Sequence, residues 1–168
     1  MSTVAHPDWL RPAFATPGIA ALMTTRAGGC SSGVYASLNL GDAVGDDPSC
    51  VARNRERLAA ALGARPTWLR QVHGRRVVRL PAQGTPEADA CVTTEPGQVC
   101  VIQVADCLPV LLAAPGARGV AAAHAGWRGL AGGVLEATVA RLCEATGCAA
   151  GELEAWLGPC IGPRRFEV

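Results

Sequence analysis

Residues 119–146 have the sequence GVAAAHAGWRGLAGGVLEATVARLCEAT. The small apolar residues of 119–124 predict a buried strand, and the glycine-rich segment 125–129 predicts a turn. Residues 130–146 have the length and apolar content of a helix, which Gly147 can end. A buried strand that turns directly into a helix is typical of α/β folds.

The chain on either side of this stretch also mixes strands and helices. Asp47 can cap a helix that has Pro48 in its first turn and residues 51–62 as its body, and Gly63 can end it. Because 168 residues suffice for one domain with a real core, we predict a single α/β (mixed α+β) domain over residues 1–168. The remaining predicted strands are residues 19–25, 68–73, 76–80, 90–93, 99–104, 108–112 and 153–157.

Composition excludes several classes of protein. A net charge of +1 gives no reason to expect a nucleic-acid or membrane partner, and no stretch reaches transmembrane length without Gly, Pro or charge. Residues 1–10 lack the apolar core of a signal peptide, so we expect a cytoplasmic protein, either a monomer or a weak homo-oligomer.

The eight cysteines form no CxxC pair, and without an export signal most are expected to be buried small hydrophobes. Cys30, Cys107 and Cys160 stand among Gly, Asp and Pro, where a special role is more plausible.

Two of the three histidines are candidates for a metal site. His73 and His124 each end a predicted strand, and Cys107 interrupts buried strand material, so the three can meet at one edge of a sheet. Catalytic zinc sites use three protein ligands, and one thiolate with two imidazoles suits zinc or copper. Spacing alone leaves open that Cys107 is a core thiol and that each histidine is a satisfied polar residue. His6 lies in the N-terminal tail and is expected to be uninvolved.

The same residue types permit other chemistry. Cys107 can act as a nucleophile with a histidine as base and Asp106 as the group that orients it, and residue types do not separate this role from metal ligation. The loop 26–29 and the turn 126–129 are candidate anion sites because each combines glycines with an arginine. The alternative is that these glycines only form turns.

Nine motifs, in order along the chain, resemble the YfiH family, also called the peptidoglycan editing factor or polyphenol oxidase (laccase-domain) family. The resemblance covers nearly the whole chain from residue 19 onward. The motifs are TTRAGG (24–29), SLNLG (37–41), VGDD (44–47), QVHG (71–74), ADA (88–90), ADCLPV (105–110), HAGWRG (124–129), WLGPCIG (156–162) and FEV (166–168).

This resemblance implies a metal site formed by His73, Cys107 and His124, with zinc as the expected metal and copper as a second choice. It implies a layered sandwich of mixed β-sheets flanked by helices, the CNF/YfiH-like fold grouped with cysteine hydrolases. It also implies a purine nucleoside phosphorylase that acts on adenosine, inosine and methylthioadenosine, with adenosine deaminase activity. Family members continue beyond the FEV motif, so we expect this chain to lack the C-terminal part of the domain.

Residue type and motif position suggest further roles in such an enzyme. Asp106 is a candidate acid/base, and Arg26 and Arg128 are candidates for binding phosphate. The amide side chains of Asn39 and Gln71 can hydrogen-bond the base or the ribose. These assignments are hypotheses that add substrate-binding residues to the metal ligands.

Three other functions stay open at this point. The same Cys/His site can serve an amidase that edits UDP-MurNAc-L-Ser peptidoglycan precursors. A copper-dependent polyphenol oxidase is disfavoured because a multicopper site needs many imidazoles and the chain has three histidines. A chain without its C-terminal part can also be an inactive remnant.

Overall fold

The computed structural model describes residues 5–167, and these residues divide into two units. The first unit contains residues 5–13 and 20–65, and the second contains residues 14–19 and 66–167. Val168, the last residue of the predicted FEV motif, lies outside the described residues. The assignment of residues 1–168 to a single domain stays a prediction.

The second unit is built on one five-stranded mixed sheet with the order β1-β2-β4-β3-β5. β1 pairs with β2 in parallel, and the pairs β2–β4, β3–β4 and β3–β5 are antiparallel. The predicted α/β class is confirmed, and the strands predicted at these five places are confirmed to within two residues. The strands are β1 (Val77–Arg79), β2 (Ala90–Thr93), β3 (Leu108–Ala113), β4 (Val120–Ala125) and β5 (Glu154–Leu157).

One face of this sheet packs against a helix, α3 (Val134–Thr146). Alternate residues of the strands, such as Ala121, Ala123 and Ala125 of β4, join Val134 and Leu142 of the helix in one buried cluster. Small side chains in β4 let the helix approach closely, because side chains of a strand alternate between the two faces. Because of this alternation, His124 points to the opposite face of the sheet from Ala123 and Ala125, which face the helix.

The opposite face is covered by irregular chain, and here two strand predictions were wrong. Residues 68–73 and 99–104 contain no strand; Arg70 alone makes an isolated bridge, to Glu87. Their apolar residues still pack on the sheet, with Leu69, Cys100 and Ile102 around Cys91. A short buried apolar run has the same composition whether or not it pairs with a neighbouring strand, so composition did not separate the two cases.

The helix predicted over residues 130–146 is interrupted, and the predicted turn before it is partly helical. A short helix, α2 (Trp127–Ala131), precedes α3, and the two are separated by Gly132 and Gly133. Gly133 has a φ of 86°, a left-handed conformation that glycine adopts without steric cost. Gly147 ends α3 in the same conformation, as predicted.

The first unit contains one long helix, α1 (Pro48–Leu62), and its predicted boundaries are confirmed. The Asp47 side chain accepts a hydrogen bond from the N–H of Ser49, and Gly63 ends the helix with a φ of 66°. The strand predicted over residues 19–25 is wrong, because only Met23 pairs, in a single bridge with Leu10. None of these seven residues is buried, so the segment has no buried apolar face that would stabilise a longer ladder of strand hydrogen bonds.

Short 3₁₀ helices occupy residues Gly33–Tyr35, Pro115–Ala117 and Ala150–Glu152. Within residues 5–167, no helix has both the length and the apolar content that crossing a bilayer requires.

Candidate metal centre

The register of two strands in the second unit brings Cys107 and His124 together. Leu108 of β3 pairs with Ala125 of β4, and Pro109 pairs with His124. Cys107, one residue before β3, therefore lies beside the end of β4. His73 comes from the loop that precedes β1, and its ring centroid is 4.6 Å from that of His124, in an edge-to-face arrangement.

These three side chains have the separations and the donor atoms of a metal site. Their ligand atoms all lie within 4.8 Å of one another, and Nε2 of His73 is 3.8 Å from Sγ of Cys107. Zinc bonds of ~2.1 Å to nitrogen and ~2.3 Å to sulfur at tetrahedral angles place such atoms about 3.6 Å apart. His73, Cys107 and His124, called the metal group below, thus fit a single metal ion. They are the one such group found among residues 5–167.

A buried carboxylate, Asp89, supports both histidines. Its Oδ1 accepts hydrogen bonds from Nδ1 of His124 at 2.8 Å and from the backbone N–H of His73 at 2.9 Å. Its Oδ2 accepts from the N–H groups of Gly74 at 2.7 Å and Val72 at 3.1 Å. The bonds to residues 72–74 hold the loop on which His73 adopts a left-handed φ of 59°.

The charge of Asp89 decides which nitrogen of His124 is available. Burial raises the pKa of the Asp89 carboxyl, but the hydrogen bonds from His124 and from three backbone N–H groups outweigh it, so the pKa lies below its ordinary value. An ionised carboxylate only accepts hydrogen bonds, so Nδ1 of His124 carries a proton. In neutral His124 the lone pair is then on Nε2, which is the atom free to bind a metal.

Gly126 makes room for this group. A Cβ at Gly126 would lie 2.8 Å from Cδ2 of His73 and 2.9 Å from Sγ of Cys107. Both distances are shorter than real Cβ contacts, so any other residue here would displace a ligand. The first glycine of the HAGWRG motif is therefore required because the side chains of His73 and Cys107 approach its Cα closely.

The three side chains differ in exposure, and this makes the group accessible from one side. His124 is buried at 4% exposure, Cys107 is half-buried and His73 is exposed. Burial, then the carboxylates of Asp106 and Asp89 and the thiol of Cys160, raise the pKa of the Cys107 thiol. Negative charge and partial burial thus disfavour the thiolate of Cys107 in the metal-free chain.

Three other predicted site residues belong to the same unit. Asp106 is exposed and precedes Cys107, and its carbonyl accepts a hydrogen bond from Ile161. Arg128 is exposed, with its guanidinium 5.0 Å from the ring centroid of Trp127, which is itself exposed. Gln71 bonds the backbone of Gln103 through both its amide nitrogen and its amide oxygen, at 2.8 Å and 2.7 Å.

The remaining two predicted residues, Arg26 and Asn39, belong to the first unit. Nε of Arg26 donates to the carbonyl of Ala36 at 2.9 Å. The Asn39 amide donates to Gly41 and to Asp46 and accepts from the N–H of Gly41, so it organises its own loop. Substrate binding by these two residues stays a prediction.

Sequence reasoning assigned no role to Asp89. The signal was present, because in the ADA motif at 88–90 an acidic residue directly precedes the buried strand β2. A carboxylate at such a position must be paired to be buried. Which groups pair with it depends on a loop 15 to 17 residues away, as the sequence separations of its contacts show.

Comparison with known proteins identifies the family. The sequence profile described as multi-copper polyphenol oxidoreductase laccase matches residues 20–168, and the chain belongs to this family, as the motifs predicted. Two relatives are purine nucleoside phosphorylase PA4543 of Pseudomonas aeruginosa and purine nucleoside phosphorylase YfiH of Escherichia coli K12. They are 51% and 49% identical to this chain over its whole length, which corresponds to 66% and 68% of their own.

Solved structures show the same fold. Protein NMB0706 of Neisseria meningitidis superimposes with a TM-score of 0.86 at 44% identity, over 95% of this chain and 66% of the other. YlmD of Geobacillus stearothermophilus gives a TM-score of 0.84 at 34% identity, over 99% of this chain and 68% of the other. The chain therefore spans about two thirds of the length of the relatives and structures that it matches.

Proposed function

We propose that this protein is a zinc-dependent purine nucleoside phosphorylase that acts on adenosine, inosine and methylthioadenosine and also deaminates adenosine. The observation that carries the proposal is the group of His73, Cys107 and His124, whose ligand atoms lie within 4.8 Å of one another. The names of the relatives in Pseudomonas aeruginosa and Escherichia coli supply the reaction class. The proposed place of action is the cytoplasm.

The metal ligands are proposed to be His73, Cys107 and His124, and Asp89 keeps the two histidines in place. When bound, zinc supplies a Lewis acid that polarises a substrate oxygen or lowers the pKa of water. The exposure of His73 leaves one side of the group open to a substrate. Asp106 lies at the rim beside Cys107, where an exposed carboxylate can take up or release a proton.

In phosphorolysis, an oxygen of phosphate attacks C1′ of the ribose, the bond from C1′ to the purine nitrogen breaks, and the departing purine takes up a proton. The phosphate dianion needs positive charge beside the sugar, and Arg128 is proposed to supply it from the start of α2. Gln71 is proposed to hydrogen-bond the nucleoside through the amide capacity that its contacts with Gln103 leave. The substrate roles of Arg26 and Asn39, which belong to the first unit, stay predictions.

In deamination, the oxygen of water adds to C6 of adenosine and ammonia leaves, which gives inosine. Both protons of the water leave its oxygen, one for N1 of the purine and one for the departing amine, and Asp106 is proposed to carry them. Both reactions thus use one metal group and one carboxylate.

Zinc is preferred to a multicopper centre because of the number of imidazoles. The chain has three histidines, and the metal group uses two of them. His6, the third, belongs to the first unit, where its Nδ1 accepts a hydrogen bond from the N–H of Asp8. A single copper ion can still compete for the same three ligands.

The test combines metal analysis with product identification on the purified 168-residue chain. We expect one zinc per chain, and adenine plus ribose 1-phosphate from adenosine and phosphate, with inosine when phosphate is left out. His124→Ala should lose both tight zinc binding and turnover, because it removes the buried ligand. His6→Ala is the matched control and should keep both.

Two results would contradict the proposal. The first is nucleoside turnover that persists in a metal-free His124→Ala variant. The second is a zinc-loaded chain that releases serine from UDP-MurNAc-L-Ser but leaves adenosine intact, which would favour the amidase. Oxidation of a polyphenol by the copper-loaded chain, with no action on nucleosides, would favour the oxidase.

A further inference from the structure

We propose that Cys30 and Cys50 form an oxidisable dithiol, a modification site in the first unit that is separate from the metal group. Both residues carry free thiols and are half-buried. Cys30 lies in the loop after the TTRAGG motif, and Cys50 lies in the first turn of α1. The proposed modification is a reversible disulfide between them.

The geometry of the pair is reciprocal. Sγ of Cys30 is 3.5 Å from the carbonyl oxygen of Cys50, and Sγ of Cys50 is 3.5 Å from the carbonyl oxygen of Cys30. Each thiol therefore lies against the backbone of the other residue, and both sulfurs occupy the space between the two chain segments. The side chain of Asn54 holds the Cys30 side of this arrangement, since Oδ1 accepts from the N–H of Cys30 at 2.9 Å and from its thiol at 3.3 Å.

Two polar side chains contact the thiol of Cys50. Nη2 of Arg53 is 3.2 Å from Sγ of Cys50, and a carboxylate oxygen of Asp47 is 3.9 Å from the same sulfur. The Arg53 hydrogen bond lowers the pKa of Cys50, while burial and the neighbouring Cys30 thiol raise it, and the net direction is upward. Arg53 therefore limits the rise in the pKa of Cys50 without reversing it, and the thiol of Cys30 next to it is the group positioned to resolve an oxidised Cys50.

Other close cysteines have a structural explanation. Sγ of Cys148 is 4.0 Å from Sγ of Cys143, but these residues flank the glycine that ends α3, where an apolar contact across the helix end is usual. Cys91 is fully buried in the core cluster below the sheet, and Cys100 packs against that cluster. Reactive cysteines occupy partly exposed sites beside cationic groups, and the pair at Cys30 and Cys50 is the one that has such a neighbour in Arg53.

The reaction with a peroxide balances without another component. The Cys50 thiolate attacks one oxygen of hydrogen peroxide, the O–O bond breaks, and a sulfenic acid and hydroxide form. The hydroxide takes up the proton that the thiol released, which gives water. The Cys30 thiol then attacks the sulfur of that sulfenic acid, the S–O bond breaks, and a second water leaves. The two cysteines lose two electrons and two protons in total, and a dithiol reductant reverses the change by thiol–disulfide exchange.

The sequence makes the test direct. Trypsin cleaves after Arg26 and after Arg53, and the peptide over residues 27–53 contains Cys30 and Cys50 as its only cysteines. After treatment of the folded chain with hydrogen peroxide, this peptide should be lighter by two hydrogens and should resist alkylation. Dithiothreitol should restore two thiols that can be alkylated.

Variants separate the roles of the residues. In Cys30→Ser, Cys50 should gain oxygen atoms instead of forming a disulfide, because the resolving thiol is gone. Arg53→Gln, whose tryptic peptide ends at Arg55, should form the disulfide several-fold more slowly, because the guanidinium that favours the thiolate is gone. Cys143→Ser is the control and should leave the oxidation of this peptide unchanged.

Two results would overturn the proposal. One is a peptide over residues 27–53 that keeps both thiols under conditions that oxidise Cys143 and Cys148. The other is a Cys50 that gains oxygen in the unsubstituted chain while Cys30 stays reduced.

Discussion

Replacing Asp89 by asparagine should weaken metal binding even though it leaves the three ligands in place. The substitution keeps the size of the side chain but replaces one carboxylate oxygen by an NH₂ group. Asp89 is fully buried, and its two oxygens accept four hydrogen bonds, two at each oxygen. Asparagine has one acceptor oxygen and can keep only one of these two pairs.

Either orientation of the new side chain is unfavourable. If the NH₂ group faces Oδ2's former partners, the N–H groups of Val72 and Gly74 lose their acceptor, at about 1–3 kcal/mol each, or about 2–6 kcal/mol of unfolding free energy in total. If the NH₂ group faces His124 instead, Nδ1 must accept a hydrogen bond from it. Neutral His124 then carries its proton on Nε2, where the proton blocks metal binding. Loss of such a supporting bond typically weakens metal affinity 10–100-fold, so we expect a change of about that size.

Two measurements test this prediction. The dissociation constant for Zn²⁺ is measured by competition with a chromophoric chelator, and the free energy of unfolding of the metal-free chain by urea titration. Asp106→Asn is the matched control, because it removes a neighbouring exposed carboxylate that neither histidine bonds. Its zinc affinity should change by less than about threefold, as expected for a screened surface charge.

The reasoning would be refuted by an Asp89→Asn chain that binds zinc within about twofold of the unsubstituted chain. A variant that is less stable but binds zinc unchanged once folded would be equally adverse. That result would mean that Asp89 holds the loop of His73 but does not orient the ring of His124, because a lost orientation would lower the zinc affinity.

Two further predictions concern other parts of the second unit. Gly126→Ala should lower zinc affinity at least about tenfold, because the added methyl group overlaps His73 and Cys107. Gly151→Ala is the control and should leave the affinity unchanged, because a Cβ there meets open space. Equal zinc affinities of the two variants would contradict the close approach at Gly126. Glu154 accepts hydrogen bonds from the Thr16 side chain and from two backbone N–H groups, which lower its pKa below the ordinary 4.5. The stability from these hydrogen bonds is therefore fully present above pH 4.5. It is lost as the pH falls through the lower pKa that Glu154 has in the folded chain, so the amide-exchange protection of Thr16 should fall in that range. Glu154→Gln should reduce this protection at neutral pH and Glu144→Gln should not; pH-independent protection would argue against this role of Glu154.

Local sequence was sufficient where structure depends on neighbouring residues. The helix α1 begins after Asp47 and ends before Gly63 as predicted, because its cap bond and its left-handed terminus involve residues within a few positions. Gly132 and Gly133 are a local signal of the break between α2 and α3, because glycine is unfavourable inside a helix.

Pairing could not be derived from the same kind of information. Residues 68–73 and 99–104 are apolar and cover the sheet, yet no neighbouring strand bonds with them in a ladder. The apolar composition of a segment shows that the segment is buried. It does not show which backbone lies next to that segment.

The metal group depends both on residue types that the sequence shows and on contacts that only the tertiary structure shows. The sequence by itself determined the chemistry, since it contains two strand-end histidines, one thiol and the motifs of the family. Only the tertiary structure decided that these three meet, through the register of β3 on β4 and through Asp89, which ties the loop of His73 to the ring of His124. Ligands 17 to 51 residues apart come together only when long-range pairing has closed the chain between them, and that pairing depends on contacts over the whole sheet.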